Sequence, residues 1–144
     1  RRVRTVQENS LLTDEHGPLT KAYDILTEYA EKNPTSTYCH FDYSATNILA
    51  TEPPTVIDPN PIVNLGILDI ARSIVLSISE KGSTDSAEQL KEGYFSGNTP
   101  CDSRALQAAI ILNAYIKFNY WHKKKKNRAM ENVRKYLAHT SHLL

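Results

Sequence analysis

The residues of this sequence best suited to chemistry lie between His40 and Asp58. A polar stretch follows the pattern H-x-D-x-x-x-x-N from His40 to Asn47, and Asp58 comes eleven residues later, after a β-branched run. Phosphoryl transfer from ATP needs a carboxylate that faces the acceptor hydroxyl. It also needs an amide oxygen and a second carboxylate that hold Mg²⁺ on the phosphates. The residue types and their spacing therefore predict phosphoryl transfer.

Each of these side chains has a separate predicted role. Asp42 would orient the acceptor hydroxyl and accept its proton late, because an aspartate is a weak base at neutral pH. Asn47 offers an uncharged oxygen and Asp58 a charged one, a pair that suits a hard cation whose other ligands are phosphate oxygens and water. Protein kinases use the same logic in their H-R-D-x-x-x-x-N and D-F-G elements.

Four segments resemble the aminoglycoside phosphotransferase and choline kinase-like superfamily, which has a protein kinase-like fold. His40–Leu49, HFDYSATNIL, resembles its HGDLHPGNIL-type signature, and Val56-Ile57-Asp58 resembles its VID magnesium motif. Residues 68–71, LDIA, and 92–94, EGY, resemble the D-x-A and EGY segments that follow. The resemblance covers roughly residues 19–122 in the family's order, which is more specific than any single motif.

The resemblance implies a transferase that uses ATP and Mg²⁺ to phosphorylate a hydroxyl of a small molecule such as an aminoglycoside, a sugar, choline or an amino acid. By the resemblance Asp42 is the catalytic residue. Asn47 and Asp58 hold the magnesium and, through it, the nucleotide. His40 and Asp69 support the catalytic loop without reacting.

The sequence also departs from the family's pattern. Phe41 stands in place of the usual glycine, Ser44-Ala45 in place of His-Pro, and Pro59 where an aromatic residue is common. No glycine-rich loop or strand lysine precedes the first helix. The resemblance therefore implies a C-terminal lobe alone, with residues 1–18 as an irregular segment continuing from a missing N-terminal lobe and 19–144 as the lobe itself. Such a piece should be a poor enzyme in isolation.

Two other interpretations stay open. A non-catalytic remnant or split kinase-like domain would bind a ligand or partner, or dimerise through the exposed cleft wall around Asn47, Ile48 and Asp58. Alternatively, Asp42 and Asn47 could simply cap a turn of a helical domain. Asp69 argues against that last reading, since a carboxylate on an apolar helix is costly unless loop amides satisfy it.

Apolar periodicity predicts an α+β protein that is mostly helical, with one small β-hairpin. The hairpin pairs residues 48–50 with 55–57 across a proline-rich turn. Asp102 or Ser103 would cap the third long helix. The predicted helices are Leu19 to about Glu31, Leu65 to Ser79, about Ser86 to Tyr94, 102 or 103 to about His122, and about Arg128 to His139.

Composition excludes several classes of protein. Seventeen Lys and Arg against sixteen Asp and Glu give a net charge of +1, which argues against nucleic-acid binding. No apolar run is long enough to span a membrane. Two isolated cysteines, Cys39 and Cys101, fit reduced thiols of a cytoplasmic protein better than a disulfide, and the five histidines lack zinc-ligand spacing.

Three further clusters have both a structural and a functional interpretation. The basic run Lys123–Lys126 is either a solvated helix end or a site for an anionic ligand. An aromatic cluster either packs a helix or lines an acceptor pocket, and an acidic cluster either faces solvent or recognises a cationic acceptor. The aromatic cluster is Tyr115, Phe118, Tyr120 and Trp121, and the acidic one is Asp85, Glu88 and Glu92.

Overall fold

The computed structural model describes residues 16–97 and 102–140, which form a mostly helical α+β fold. The helices are α1 (His16–Lys32), α2 (Ile67–Lys81), α3 (Asp85–Phe95), α4 (Ser103–Lys123) and α5 (Asn127–Thr140). Between α1 and α2 lie the strands β1 (Thr37–Cys39), β2 (Ile48–Leu49), β3 (Thr55–Val56) and β4 (Ile62–Asn64). Each predicted helix is present. No helix in the described ranges is long and apolar enough to cross a membrane.

Helix α4 is the centre of the hydrophobic core. It packs against α1, α2 and α5, and so it buries side chains around most of its circumference, including Leu106, Ile110 and Ile111. The other helices each contribute one apolar stripe, as the periodicity predicts. Tyr23 is an exception, because it falls within the predicted stripe of α1 but is exposed.

Two small antiparallel sheets lie beside the helices. The predicted hairpin is present, with Ile48 opposite Val56 in β2 and β3. The second sheet pairs β1 with β4, with Cys39 opposite Ile62, and it was not predicted. Its strands have three residues each and are far apart in sequence, so no local pattern marks them. This second sheet brackets the loop that begins at His40.

Two predicted element boundaries are wrong. Residues 16–18, assigned to an irregular segment, form the first turn of α1, where Pro18 fits because an early helical position needs no amide bond. Residues 1–15 lie outside the described part of the chain. Helix α2 begins at Ile67 rather than Leu65, because Ile62–Asn64 is drawn into β4. The helix ends at Lys81, where Gly82 is in the left-handed conformation and donates its amide to Ile78 O.

The cap of α4 provides a test of the fold. Asp102 accepts hydrogen bonds from the amides of Arg104 and Ala105, so it is the N-cap. Asp102→Ala should lower the free energy of unfolding by about 1 kcal/mol, measured by urea denaturation. Asp102→Asn keeps an acceptor oxygen and should recover most of that loss, whereas Ser103→Ala should have little effect. Equal losses for Asp102→Ala and Ser103→Ala would contradict the assignment.

Candidate functional site

Asp69, in the first turn of α2, fixes the start of the loop that carries the predicted catalytic residues. Its Oδ2 accepts a hydrogen bond from the His40 amide and its Oδ1 one from the Phe41 amide, both at 2.8 Å. These bonds confirm that loop amides satisfy the Asp69 carboxylate. Because both carboxylate oxygens are used on consecutive amides, the backbone direction of the loop is set at this point.

Phe41 adopts a left-handed backbone conformation, with φ of 56°. Such a conformation costs a non-glycine residue about 1–2 kcal/mol, so it persists only where other contacts hold it. The Asp69 bond to its amide is one such contact. The second is Arg72, whose guanidinium carbon lies 4.4 Å from the centre of the Phe41 ring.

His40 joins the loop to the end of the hairpin. Its Nε2 lies 3.0 Å from the carbonyl oxygen of Ile57, and its Nδ1 accepts a hydrogen bond from the Asp42 amide at 3.3 Å. The two contacts are compatible when the imidazole is neutral and carries its proton on Nε2. The backbone carbonyl of His40 also accepts from the Asn60 amide at 2.9 Å. The imidazole therefore holds the residue before Asp58 against the loop.

Asn47 is in direct contact with Asp42. Its side-chain Nδ2 donates to the Asp42 carbonyl at 2.8 Å and to the Asp42 carboxylate at 3.3 Å. Its backbone carbonyl accepts a hydrogen bond from the Ile57 amide at 2.9 Å. Asp58 is therefore the next residue along the segment that faces Asn47. Four of the five predicted site residues are therefore joined by hydrogen bonds, and Asp58 directly follows Ile57, which is bonded to Asn47.

Asn47 and Asp58 fit a Mg²⁺ site in which the protein supplies only two of the ligands. The amide nitrogen of Asn47 is used on Asp42, so its side-chain oxygen is the atom that can meet a cation, and the exposed Asp58 supplies a carboxylate. Within residues 16–97 and 102–140 no three His, Cys, Asp or Glu side chains cluster as a metal site. Two protein oxygens suit Mg²⁺ that arrives with phosphate, because phosphate and water supply its remaining ligands.

Two cations that the sequence did not single out lie near Asp42. Burial lowers the pKa of Arg72, and the charges of Asp42 and Asp69 oppose that shift. Burial and the charge of Arg72 lower the pKa of Lys117 on α4, and the charge of Asp42 again opposes that shift. Arg72 lies one turn after Asp69 on an otherwise apolar helix, a signal that could have identified it.

An open pocket of about 640 Å³ lies beside Asp42, between α2, α4 and the start of α5. The predicted basic and aromatic clusters both reach it, through Lys125 and Lys126 and through Tyr120 and Trp121. The acidic cluster does not line it and lies exposed on α3. Packing is confirmed for most of the aromatic cluster, because Tyr115, Phe118 and Trp121 are buried and form edge-to-face pairs.

No family model matches this chain, and neither the curated proteins nor the solved structures compared with it include a significant match. The function of the chain is therefore inferred from its own residues. The hydrogen-bonded loop residues with the neighbouring Asp58, and the pocket beside Asp42, form the candidate site.

Asp69→Asn should destabilise the protein by about 2 kcal/mol or more, because an amide can accept only one of the two loop amide bonds and turns a donor toward the other. Urea denaturation measures this loss. Asp58→Asn is the matched control: Asp58 is exposed with φ of 55°, which asparagine tolerates, so its effect should stay within about 0.5 kcal/mol. An Asp69→Asn loss no larger than that of the control would refute the anchoring role.

Cys39 should be an inert thiol in the folded protein. Burial and the charge of Asp69 raise its pKa above the ordinary value. A raised pKa means that the protonated thiol contributes stability at neutral pH, and that this contribution is lost as pH rises through the raised pKa. In a Cys101→Ser background, Ellman's reagent at pH 8 should therefore label Cys39 slowly until urea is added. Rapid labelling of the folded protein would contradict this.

Proposed function

We propose that this chain is the catalytic C-terminal lobe of an ATP- and Mg²⁺-dependent small-molecule kinase similar to the aminoglycoside phosphotransferase and choline kinase-like superfamily. The observation that carries the proposal is the direct contact between Asp42 and Asn47, with Asp58 held beside Asn47 by the hairpin. A turn-capping role for Asp42 and Asn47 alone would require neither the bond that places Asp58 next to the loop nor the hydrogen bonds that Asp69 accepts from the loop amides.

In this proposal Asp42 acts on the acceptor. Its carboxylate takes a hydrogen bond from Asn47 Nδ2, which limits its rotation and leaves acceptor capacity for a substrate hydroxyl. The hydroxyl donates to Asp42, is oriented by it and passes its proton to the carboxylate as the oxygen attacks phosphorus. The positioning of two reactants accounts for much of the acceleration in such reactions.

Asn47 Oδ1 and the Asp58 carboxylate would hold Mg²⁺. When bound, the metal ion would neutralise charge on the ATP phosphates. His40 and Asp69 position these groups, since they hold the loop and the hairpin end without facing the pocket. The clamp for the rest of the nucleotide would belong to an N-terminal lobe, as the resemblance implies.

A second candidate function is partner binding without catalysis, and one observation favours it. Leu49 and Ile57 lie on one face of the hairpin, because side chains alternate along each strand, and they are exposed by 43% and 38%. Contiguous exposed apolar side chains mark surfaces that another protein unit covers. In a kinase the covering unit would be the nucleotide-binding lobe, whereas in a non-catalytic remnant it would be a partner or a second copy of the chain.

Asp42→Asn separates the two candidates. In the full-length gene product, Mg²⁺-dependent transfer from ATP to a panel of hydroxyl acceptors, or to water, should fall by about 10²- to 10⁴-fold, since asparagine cannot accept the proton. Asp24→Asn, exposed on α1, is the matched control and should retain full activity. Circular dichroism checks that both variants fold. Unchanged turnover in Asp42→Asn would overturn the kinase proposal, and so would the absence of any transfer by the parent protein.

A further inference from the structure

The pocket beside Asp42 carries more positive than negative charge. Four cationic side chains line it, against the carboxylates of Asp42 and Glu80; the cations are Lys117, Lys125, Lys126 and Arg128. The ion pairs within the described residues join Lys32 to Glu28, Lys91 to Glu88 and Lys135 to Glu131, so none of them neutralises a lining cation. The pocket therefore presents an uncompensated positive charge to whatever enters it.

Part of this charge is removed from water. Lys117 is half-buried on α4, its Nζ lies 5.3 Å from the centre of the Tyr120 ring, and burial together with the charges of Arg72 and Lys126 lowers its pKa. Mutually repelling cations raise the free energy of the empty site, and a bound anion would relieve that repulsion.

We infer that this pocket recognises an oxyanion, a carboxylate or a phosphate, on the small molecule whose hydroxyl is phosphorylated. The inference rests on the proposed function, because it assigns the pocket to the acceptor. The hydroxyl would lie at Asp42 and the oxyanion toward Lys125 and Lys126. The hydroxyl oxygen bonds to the γ-phosphorus of ATP as the bond to ADP breaks, and the released proton passes to Asp42. Cationic acceptors such as an aminoglycoside or choline are disfavoured by the same charges.

The basic run contains its own control. All four lysines of the run are exposed, but only Lys125 and Lys126 line the pocket. The double variants Lys125→Gln/Lys126→Gln and Lys123→Gln/Lys124→Gln remove equal charge from the same run. Calorimetry on the full-length gene product would use glycerol 3-phosphate and D-glycerate as anionic probes, with glycerol and choline as neutral and cationic ones. The tighter of the two anionic probes identifies the oxyanion.

Both anions should bind the parent more tightly than glycerol and choline do. The Lys125/Lys126 variant should weaken anion binding by about tenfold, the effect of losing one charge-assisted hydrogen bond. The Lys123/Lys124 variant should stay within about twofold of the parent, since a rim charge outside the pocket acts only through screened solvent. Lys117→Met should weaken binding in the same direction as the Lys125/Lys126 variant. Equal losses in the two double variants, or tighter binding of choline, would overturn the inference.

A transfer assay on the same proteins separates this inference from the proposed function. Transfer that depends on Asp42 but prefers choline or a neutral sugar would refute the oxyanion site and leave the kinase proposal standing. Anion binding that depends on Lys125 and Lys126 in a protein without transfer activity would support the oxyanion site and refute the kinase proposal.

Discussion

The geometry of the site depends on one interaction, the pair of hydrogen bonds that the amides of His40 and Phe41 donate to the Asp69 carboxylate. Asp69 lies on a core helix, so these bonds hold a loop nearly thirty residues away in sequence at a fixed position relative to that helix. The same helix presents Arg72 one turn later, against the ring of Phe41. One face of α2 therefore sets both the backbone path of the loop and its nearest positive charge.

The sequence predicts those parts of the molecule that have a local signature. Periodicity gives the helices, the proline-rich turn gives the hairpin, and the spacing of Asp42, Asn47 and Asp58 gives the network. The pairing of β1 with β4 has no such signature, because three-residue strands distant in sequence are held by tertiary context. Lys117 was missed for a related reason: it reaches Asp42 from a helix whose packing no sequence pattern specifies.

Charge in the site is divided between two sources with different physical roles. The negative charges, Asp42 and Asp58, belong to the loop and the hairpin end, while the positive ones come from α2, α4, the turn after α4 and the start of α5. Asp42 thus lies at the boundary between an acidic side and a basic side. In the proposed reaction it would face the phosphate on one side and the anionic acceptor on the other. Of the lining cations, Lys117 is half-buried on α4, whereas Lys125, Lys126 and Arg128 are exposed.

The hairpin has a different stability from the rest of the site. β2 and β3 have two residues each and expose most of their apolar side chains, so their local opening requires far less free energy than global unfolding. Asp58 follows this hairpin, whereas Asp42 is tied to α2 through the neighbouring loop residues. Binding of a cation between Asn47 and Asp58 would require the hairpin to be ordered, and the entropy lost in that ordering would weaken the binding. Any unit that covers the hairpin face would order it beforehand and so reduce this loss. The two binding events would therefore be thermodynamically cooperative even without a change in the average structure.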